Sequence, residues 1–274
     1  MADPQVGVAG RGARWAVRLA AVAYVAALVG LPLLIMVRRT FQSGVGAFVD
    51  SITAPEAISA IELSLNVAAQ AVVANTVFGV GVALLLTRYR FPGRRLLNAF
   101  IDLPVSVSPV IAGLALILVY GSTGWFGGLL SRIGYQVIFA VPGIVLATCF
   151  VSLPLVVREV VPVLEEIGLE EDQAARSLGA GPMQRFWRIT LPGIRWALAY
   201  GVVLSLARCL GEYGAVRVVA GNVLQQTQTM PLLAGQRYQD LDESGAYAIS
   251  FVMVAVAIVC IVVVALLRPK EDHQ

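Results

Sequence analysis

The chain alternates between long apolar stretches and short polar ones along nearly all of its 274 residues. Runs without Asp, Glu, Lys or Arg cover residues 19–37, 63–87, 103–131, 133–157 and 245–267. A helix that rises about 1.5 Å per residue needs about 20 apolar residues to cross the hydrocarbon core of a bilayer. The pattern therefore predicts an all-α membrane protein with several spans.

A further span is predicted at about 194–216, although two charges interrupt it. Arg208 and Glu212 are four residues apart, so a helix would place them on one face, where each could neutralise the other. The pair is open to two interpretations, a structural ion pair or part of a gate. The complete prediction is six spans, at about 15–37, 61–87, 97–120, 137–157, 194–216 and 245–267.

The third predicted span contains two prolines, Pro104 and Pro109, which remove two backbone donors from its helix. Unsatisfied backbone groups at membrane depth are tolerated only where protein or water covers them. The segment should therefore face either a packed neighbour or a solvated cavity. In the second case, Ser106 and Ser108 would be available as hydrogen-bond donors.

Orientation follows from the arginines and lysines, which concentrate on the cytoplasmic side of membrane proteins. With the amino terminus inside, the tails 1–14 and 268–274 and the loop 158–193 are predicted to be cytoplasmic. The predicted inner segments hold most of the basic residues: Arg11, Arg14, Arg18, Arg88, Arg90, Arg94, Arg95, Arg158, Arg176, Arg185, Arg188, Arg195, Arg268 and Lys270. The outer ones hold Arg38, Arg39, Arg132, Arg217 and Arg237.

Composition and side-chain chemistry narrow the function. Only 14% of the residues are charged, whereas a soluble domain carries about a quarter. The net charge of +3 reflects the inner-face bias and predicts no nucleic-acid partner. The one histidine, His273, lies in the tail, the cysteines lack metal-ligand spacing, and no phosphate-binding Gly-Lys-Ser/Thr loop is present. The sequence therefore predicts a non-enzymatic chain that binds no metal or cofactor.

The segment 165–192, EEIGLEEDQAARSLGAGPMQRFWRITLP, is the charge-dense stretch between two apolar spans. It contains Gln173-Ala174-Ala175, then Gly179 after three residues, Ile189 after nine more, and Leu191-Pro192. Small alanines allow close approach to a partner, and Gly179 can take the left-handed conformation that ends a helix. This pattern resembles the cytoplasmic loop of the permease subunits of bacterial ABC importers.

The resemblance covers nearly the whole chain and implies a six-span, MetI-like permease of the bacterial inner membrane. It implies partners as well: ABC ATPase subunits that carry ATP and Mg²⁺, a second, similar permease in a heterodimer, an extracytoplasmic anion-binding protein and the surrounding lipid. The residues implied in coupling to the ATPase are Glu171, Gln173, Ala174, Ala175, Gly179, Ala180, Phe186, Ile189, Leu191 and Pro192. One departure is Gln173, where the family usually has Glu. Glu171 lies about 200° away around a helix and would not replace it directly.

A narrower resemblance, to the oxyanion permeases, rests on residues 91–95, 101–104, 108–114, 210–215, 219–222 and 227–232. It implies import of sulfate or thiosulfate, with molybdate or tungstate import as an alternative. A nucleotide-independent anion carrier is an alternative of a different class. The candidate residues of the translocation path or gate are Ser106, Ser108, Arg208, Glu212 and Asn222.

Overall fold

The computed structural model describes residues 11–267 and contains no strand among them. Two π-helical turns, Ala26–Gly30 and Phe186–Thr190, connect helices that continue in nearly the same direction. The helices are α1 (Arg11–Val25), α2 (Leu31–Thr40), α3 (Gly44–Thr53), α4 (Pro55–Arg88), α5 (Arg94–Ser106), α6 (Pro109–Tyr120), α7 (Gly127–Arg132), α8 (Val141–Ile167), α9 (Glu170–Ser177), α10 (Pro182–Arg185), α11 (Leu191–Leu210), α12 (Gly214–Val219), α13 (Met230–Gln239) and α14 (Glu243–Leu267).

Five helical stretches within residues 11–267 are long and apolar enough to cross a membrane. They are Trp15–Thr40, Pro55–Arg88, Val141–Ile167, Pro182–Leu210 and Glu243–Val263. Helices α5 and α6 make a sixth if they count as one span, since they meet at a bend of 116°. The predicted all-α class is confirmed, and the third predicted span corresponds to two helices that meet at this bend.

The core of the bundle is α8, which packs between α4 and α11. Glycines set the distance between these helices, since a Cβ at Gly79 would lie 2.9 Å from Val156 and one at Gly201 would lie 3.2 Å from the Cα of Val156. Small residues at such positions let transmembrane helices approach closely. Asn75 of α4 adds a polar link by donating to the Ser152 hydroxyl at 2.8 Å. These contacts hold the three helices in one arrangement.

Two helices end at different residues from the predicted spans. Helix α8 continues to Ile167 instead of ending near residue 157. Its first charged residue, Arg158, pairs with Asp102 of α5 at 2.8 Å, and the helix continues past it, since arginine is a good helix former. Helix α11 ends at Leu210 rather than near residue 216, and the chain turns at Gly211 before α12 begins.

Candidate functional site

Residues 165–192, for which docking to an ATPase is predicted and which are called the docking segment below, start where α8 ends. Gly168 ends α8 at φ +70, and its carbonyl accepts a hydrogen bond from Nη1 of Arg88 at 2.7 Å. Arg94 lies 3.6 Å from the carboxylate of Glu165, although both side chains are about half exposed and such a pair contributes little by itself. The segment is thus tied to the last residue of α4 and the first residue of α5.

Helix α9 is the first half of the docking segment, and a glycine turn ends it. Gly179 has φ +84 and donates its N–H to the carbonyl of Arg176 at 3.0 Å. The next N–H, from Ala180, reaches the carbonyl of Ala175, also at 3.0 Å. This pair of bonds is the Schellman arrangement, which satisfies the last carbonyls of a helix and requires a left-handed residue. The left-handed conformation expected at Gly179 is present.

The second half of the docking segment begins at α10 and continues through the π-helical turn into α11. Phe186 and Leu191 are half-buried, and both pack against a cluster of buried apolar side chains from α4, α8 and α11. Arg185 of α10 and Asp172 of α9 form an ion pair at 2.5 Å with both side chains largely covered. This pair fixes the angle between the two halves. Sequence reasoning did not find it, because its members are thirteen positions apart in the chain and lie on different helices.

The free surface of the docking segment is formed mainly by α9 and its glycine turn. Glu171, Gln173 and Ala174 are exposed, while Ala175, Ala180 and Ile189 are half-buried. Leu178 is 89% exposed, although it is apolar and lies beside the glycine. It was missing from the predicted coupling residues; the signal for it was an apolar residue in a charge-dense stretch. Together with the exposed residues of α9, Leu178 gives this end of the segment a surface of mixed apolar and polar side chains.

The two candidate serines lie at the bend between α5 and α6. Pro104 is buried within α5, while Ser106 and Ser108 are exposed at the point where the chain turns. Ser108 precedes the first residue of α6, and its carbonyl accepts from the N–H of Ala112 at 3.1 Å.

Small residues let helix α12 pack against α6 just beyond this bend. A Cβ at Gly113 would lie 2.8 Å from Val218, and one at Gly214 would lie 3.1 Å from Pro109. One side of the bend is therefore packed against protein, and the serines are on its open side.

Arg208 and Glu212 form the ion pair expected from their spacing, with Nη1 and Oε2 2.6 Å apart. They do not share a helix face, because α11 ends at Leu210 and Glu212 lies in the following turn. The Glu212 side chain is 2% exposed, whereas that of Arg208 is 38% exposed. Glu212 also accepts the backbone N–H of Ala215 at 2.9 Å through Oε1. The carboxylate therefore both neutralises the arginine and stabilises the start of α12.

Asn222 follows α12 and has a left-handed backbone, with φ +49. Its side chain belongs to a group of amides with Gln228 and Gln236. A cavity adjoins this group and is lined partly by Arg217 and Gln239. The candidate path residues therefore do not form one site: the serines lie at the α5–α6 bend, the ion pair lies at the end of α11, and Asn222 lies beyond it.

Within residues 11–267, no group of three His, Cys, Asp or Glu side chains is arranged to hold a metal ion. The described residues form a bundle of membrane-length helices with a charge-dense, partly exposed segment at one end, which is compatible with a membrane subunit that works with other proteins. Residues 75–272 match the family described as the binding-protein-dependent transport system inner membrane component. The chain belongs to this family, and the predicted resemblance to importer permeases is confirmed.

Individual relatives are similar over most of the chain. The sulfate transport system permease protein CysW of Synechocystis sp. is 44% identical over 244 residues, which cover 89% of this chain and 88% of that protein. The protein of the same name from Escherichia coli (strain K12) is 42% identical over 89% of this chain and 84% of its own length. A chain in a crystal structure of a bacterial alginate ABC transporter in complex with an alginate pentasaccharide-bound periplasmic protein has a TM-score of 0.77, 19% identity and 95% coverage of both chains. That similarity supports the MetI-like fold.

Proposed function

We propose that this chain is the permease subunit of an ATP-driven importer of sulfate or thiosulfate. The observation that carries the proposal is the identity of 42–44% with proteins named sulfate transport system permease, extending over nine-tenths of the chain. The oxyanion-permease motifs in the sequence agree with it. Molybdate, an oxyanion of the same shape and charge, is the competing substrate.

The docking segment would bind a separate ATPase, which would supply ATP and Mg²⁺ and carry out hydrolysis. Exposed Leu178 would enter an apolar cleft of that partner, and the small residues Ala174 and Ala175 would allow close contact. Because the Asp172–Arg185 pair and the packing of Phe186 join the segment to α11, movement of α9 would be passed directly to a membrane span. Glu171, Gln173, Ala180, Ile189, Leu191 and Pro192 complete the proposed coupling set.

The remaining partners would be a second, similar permease and an extracytoplasmic anion-binding protein, with the assembly in the bacterial inner membrane. A second permease is supported by the outer half of α4, where Glu62, Asn66 and Gln70 recur every four residues on an exposed face. Polar side chains on a membrane helix are usually covered by protein or water rather than lipid. This face would therefore meet the partner permease or the anion route between the two.

The route itself would pass the candidate path residues. Ser106 and Ser108 would offer hydroxyl donors at the bend, and Arg208 would offer a half-exposed cation whose charge Glu212 reduces. Asn222 would lie at the outer entrance. Few strong charges suit a permease, because an anion held tightly by several cations would leave slowly.

The substrate is tested by growth of a strain that lacks the chromosomal copy of this gene. The strain is complemented with the wild-type chain or an empty vector and supplied with sulfate or thiosulfate as its only sulfur source, or with limiting molybdate. Restored growth on sulfate or thiosulfate is expected. Restoration confined to molybdate-dependent growth would refute the substrate, while restoration that persists without the ATPase gene would indicate a nucleotide-independent carrier.

A further inference from the structure

A cavity of about 630 Å³ opens beyond the outer end of α11, in the size range of small-molecule sites. Helix α11 starts at the docking segment, and its 20 residues rise about 30 Å. The cavity therefore lies about one membrane thickness away from the ATPase side. Its polar lining is Arg217, Asn222, Gln236 and Gln239, and none of its lining residues is acidic.

Arg217 is held in place by a stack of groups. Its guanidinium lies 5.5 Å from the centre of the Tyr213 ring and donates through Nη1 to the Tyr213 hydroxyl. Gly235 packs against the Tyr213 ring, so closely that a Cβ at this position would lie 3.2 Å from the ring. No carboxylate among residues 11–267 forms an ion pair with Arg217. An exposed arginine that rests on the Tyr213 ring thus lines the cavity, and no acidic residue lines it with Arg217.

The amide side chains are oriented by Gln228, which is 2% exposed. Its Nε2 donates to Oε1 of Gln236 at 2.5 Å and to Oδ1 of Asn222 at 3.4 Å. Oε1 of Gln236 and Oδ1 of Asn222 are therefore both engaged by Gln228. The N–H groups of Gln236 are left free as donors, and Asn222 keeps at least one. Gln228 acts as a positioning residue for the two cavity amides.

We propose that this cavity is a transient oxyanion site at the outer mouth of the permease. Sulfate and thiosulfate are doubly charged and accept hydrogen bonds without donating any. A guanidinium matches such an anion in charge and geometry, and neutral amides add direction without adding charge. One arginine with neutral donors would hold the anion after its release from the binding protein and still let it move on. The identity of the oxyanion rests on the proposed function, but the site itself does not.

The first test measures uptake by the complete importer in proteoliposomes. Arg217→Gln should lower the number of anions moved per ATP by about tenfold, because a charged hydrogen bond is worth at least 1.4 kcal/mol, one decade in occupancy. Gln236→Glu, which places a carboxylate in the cavity, should lower it similarly. Arg217→Lys should lower the number of anions moved per ATP by less, since lysine keeps the positive charge. The control is Arg132→Gln, an outer-face arginine outside the cavity, which should transport at the wild-type rate.

The second test measures occupancy without transport. Gln239→Cys is placed in the intact complex, and its reaction with a membrane-impermeant thiol reagent is timed in sodium sulfate, sodium thiosulfate or sodium chloride at equal ionic strength. The divalent oxyanions should slow labelling in proportion to occupancy, and Arg217→Gln should abolish the protection. Equal labelling in all three salts, or wild-type uptake by Arg217→Gln, would overturn the site. Protection in a complex that moves no sulfate would keep the site and refute the proposed function instead.

Discussion

Gly179 is the residue on which the shape of the docking segment depends most clearly. Its φ of +84 is accessible to glycine, and a side chain there would meet no other atom within 4 Å. Gly179→Val therefore introduces backbone strain without a steric clash. A left-handed residue other than glycine costs about 1–2 kcal/mol, and a β-branched one more. If residue 179 left the left-handed conformation to relieve this strain, the two hydrogen bonds that end α9 would break, and each loss would cost about 1 kcal/mol.

A cost of this size lowers the population of the correctly folded segment by about 5- to 30-fold. The same loss should appear in the affinity for the ATPase, measured by titrating purified permease in nanodiscs with the ATPase subunit. Gly181→Val is the matched control. Gly181 lies two residues away in an extended conformation that valine can adopt, and a Cβ added there would also have no other atom within 4 Å. Equal ATPase affinities for the two valine variants would refute the role assigned to the glycine turn.

Three further changes test the account at other points. Asp172→Asn and Arg185→Gln should each reduce uptake per ATP, and the double variant should lose no more than either, because one ion pair is broken in all three; additive losses in the double-mutant cycle would contradict this. Gln173→Glu should leave the free energy of unfolding unchanged to within about 0.5 kcal/mol, since the side chain is exposed. It should change the affinity for the ATPase. An unchanged affinity would place residue 173 outside the contact with the ATPase. Glu212→Ala should lower the free energy of unfolding by about 1 kcal/mol more than Glu212→Gln, because the glutamine amide can still accept the N–H at the start of α12. Thermal unfolding measures both variants. Equal losses of stability would show that charge alone matters at this position.

Much of the fold could be predicted because lipid imposes a simple pattern of long apolar helices between basic inner segments. The ends of the helices differ from the ends of the predicted spans for two separate reasons. Helix α8 continues past Arg158, where the predicted span ends, because arginine is a good helix former even though it does not favour lipid. Arg208 and Glu212 did pair as predicted, but a glycine turn between them ends α11, so the bond crosses a helix end.

The docking segment could be predicted better than the anion route. Its glycine turn is formed by residues that are close together in the chain, so the sequence pattern around Gly179 predicts the turn. The outer cavity combines residues from α12, the following loop and α13, and only Asn222 among them was predicted. Arg217 and Gln236 become neighbours through packing on Tyr213 and Gln228, which local sequence does not specify.

The most direct test of the central claim is uptake of radiolabelled sulfate into proteoliposomes that contain this chain, its partner permease, the ATPase and the binding protein. Accumulation should require ATP, disappear when the ATPase is omitted, and fall when Gly179→Val is introduced. Sulfate accumulation at the same rate without the ATPase would contradict it.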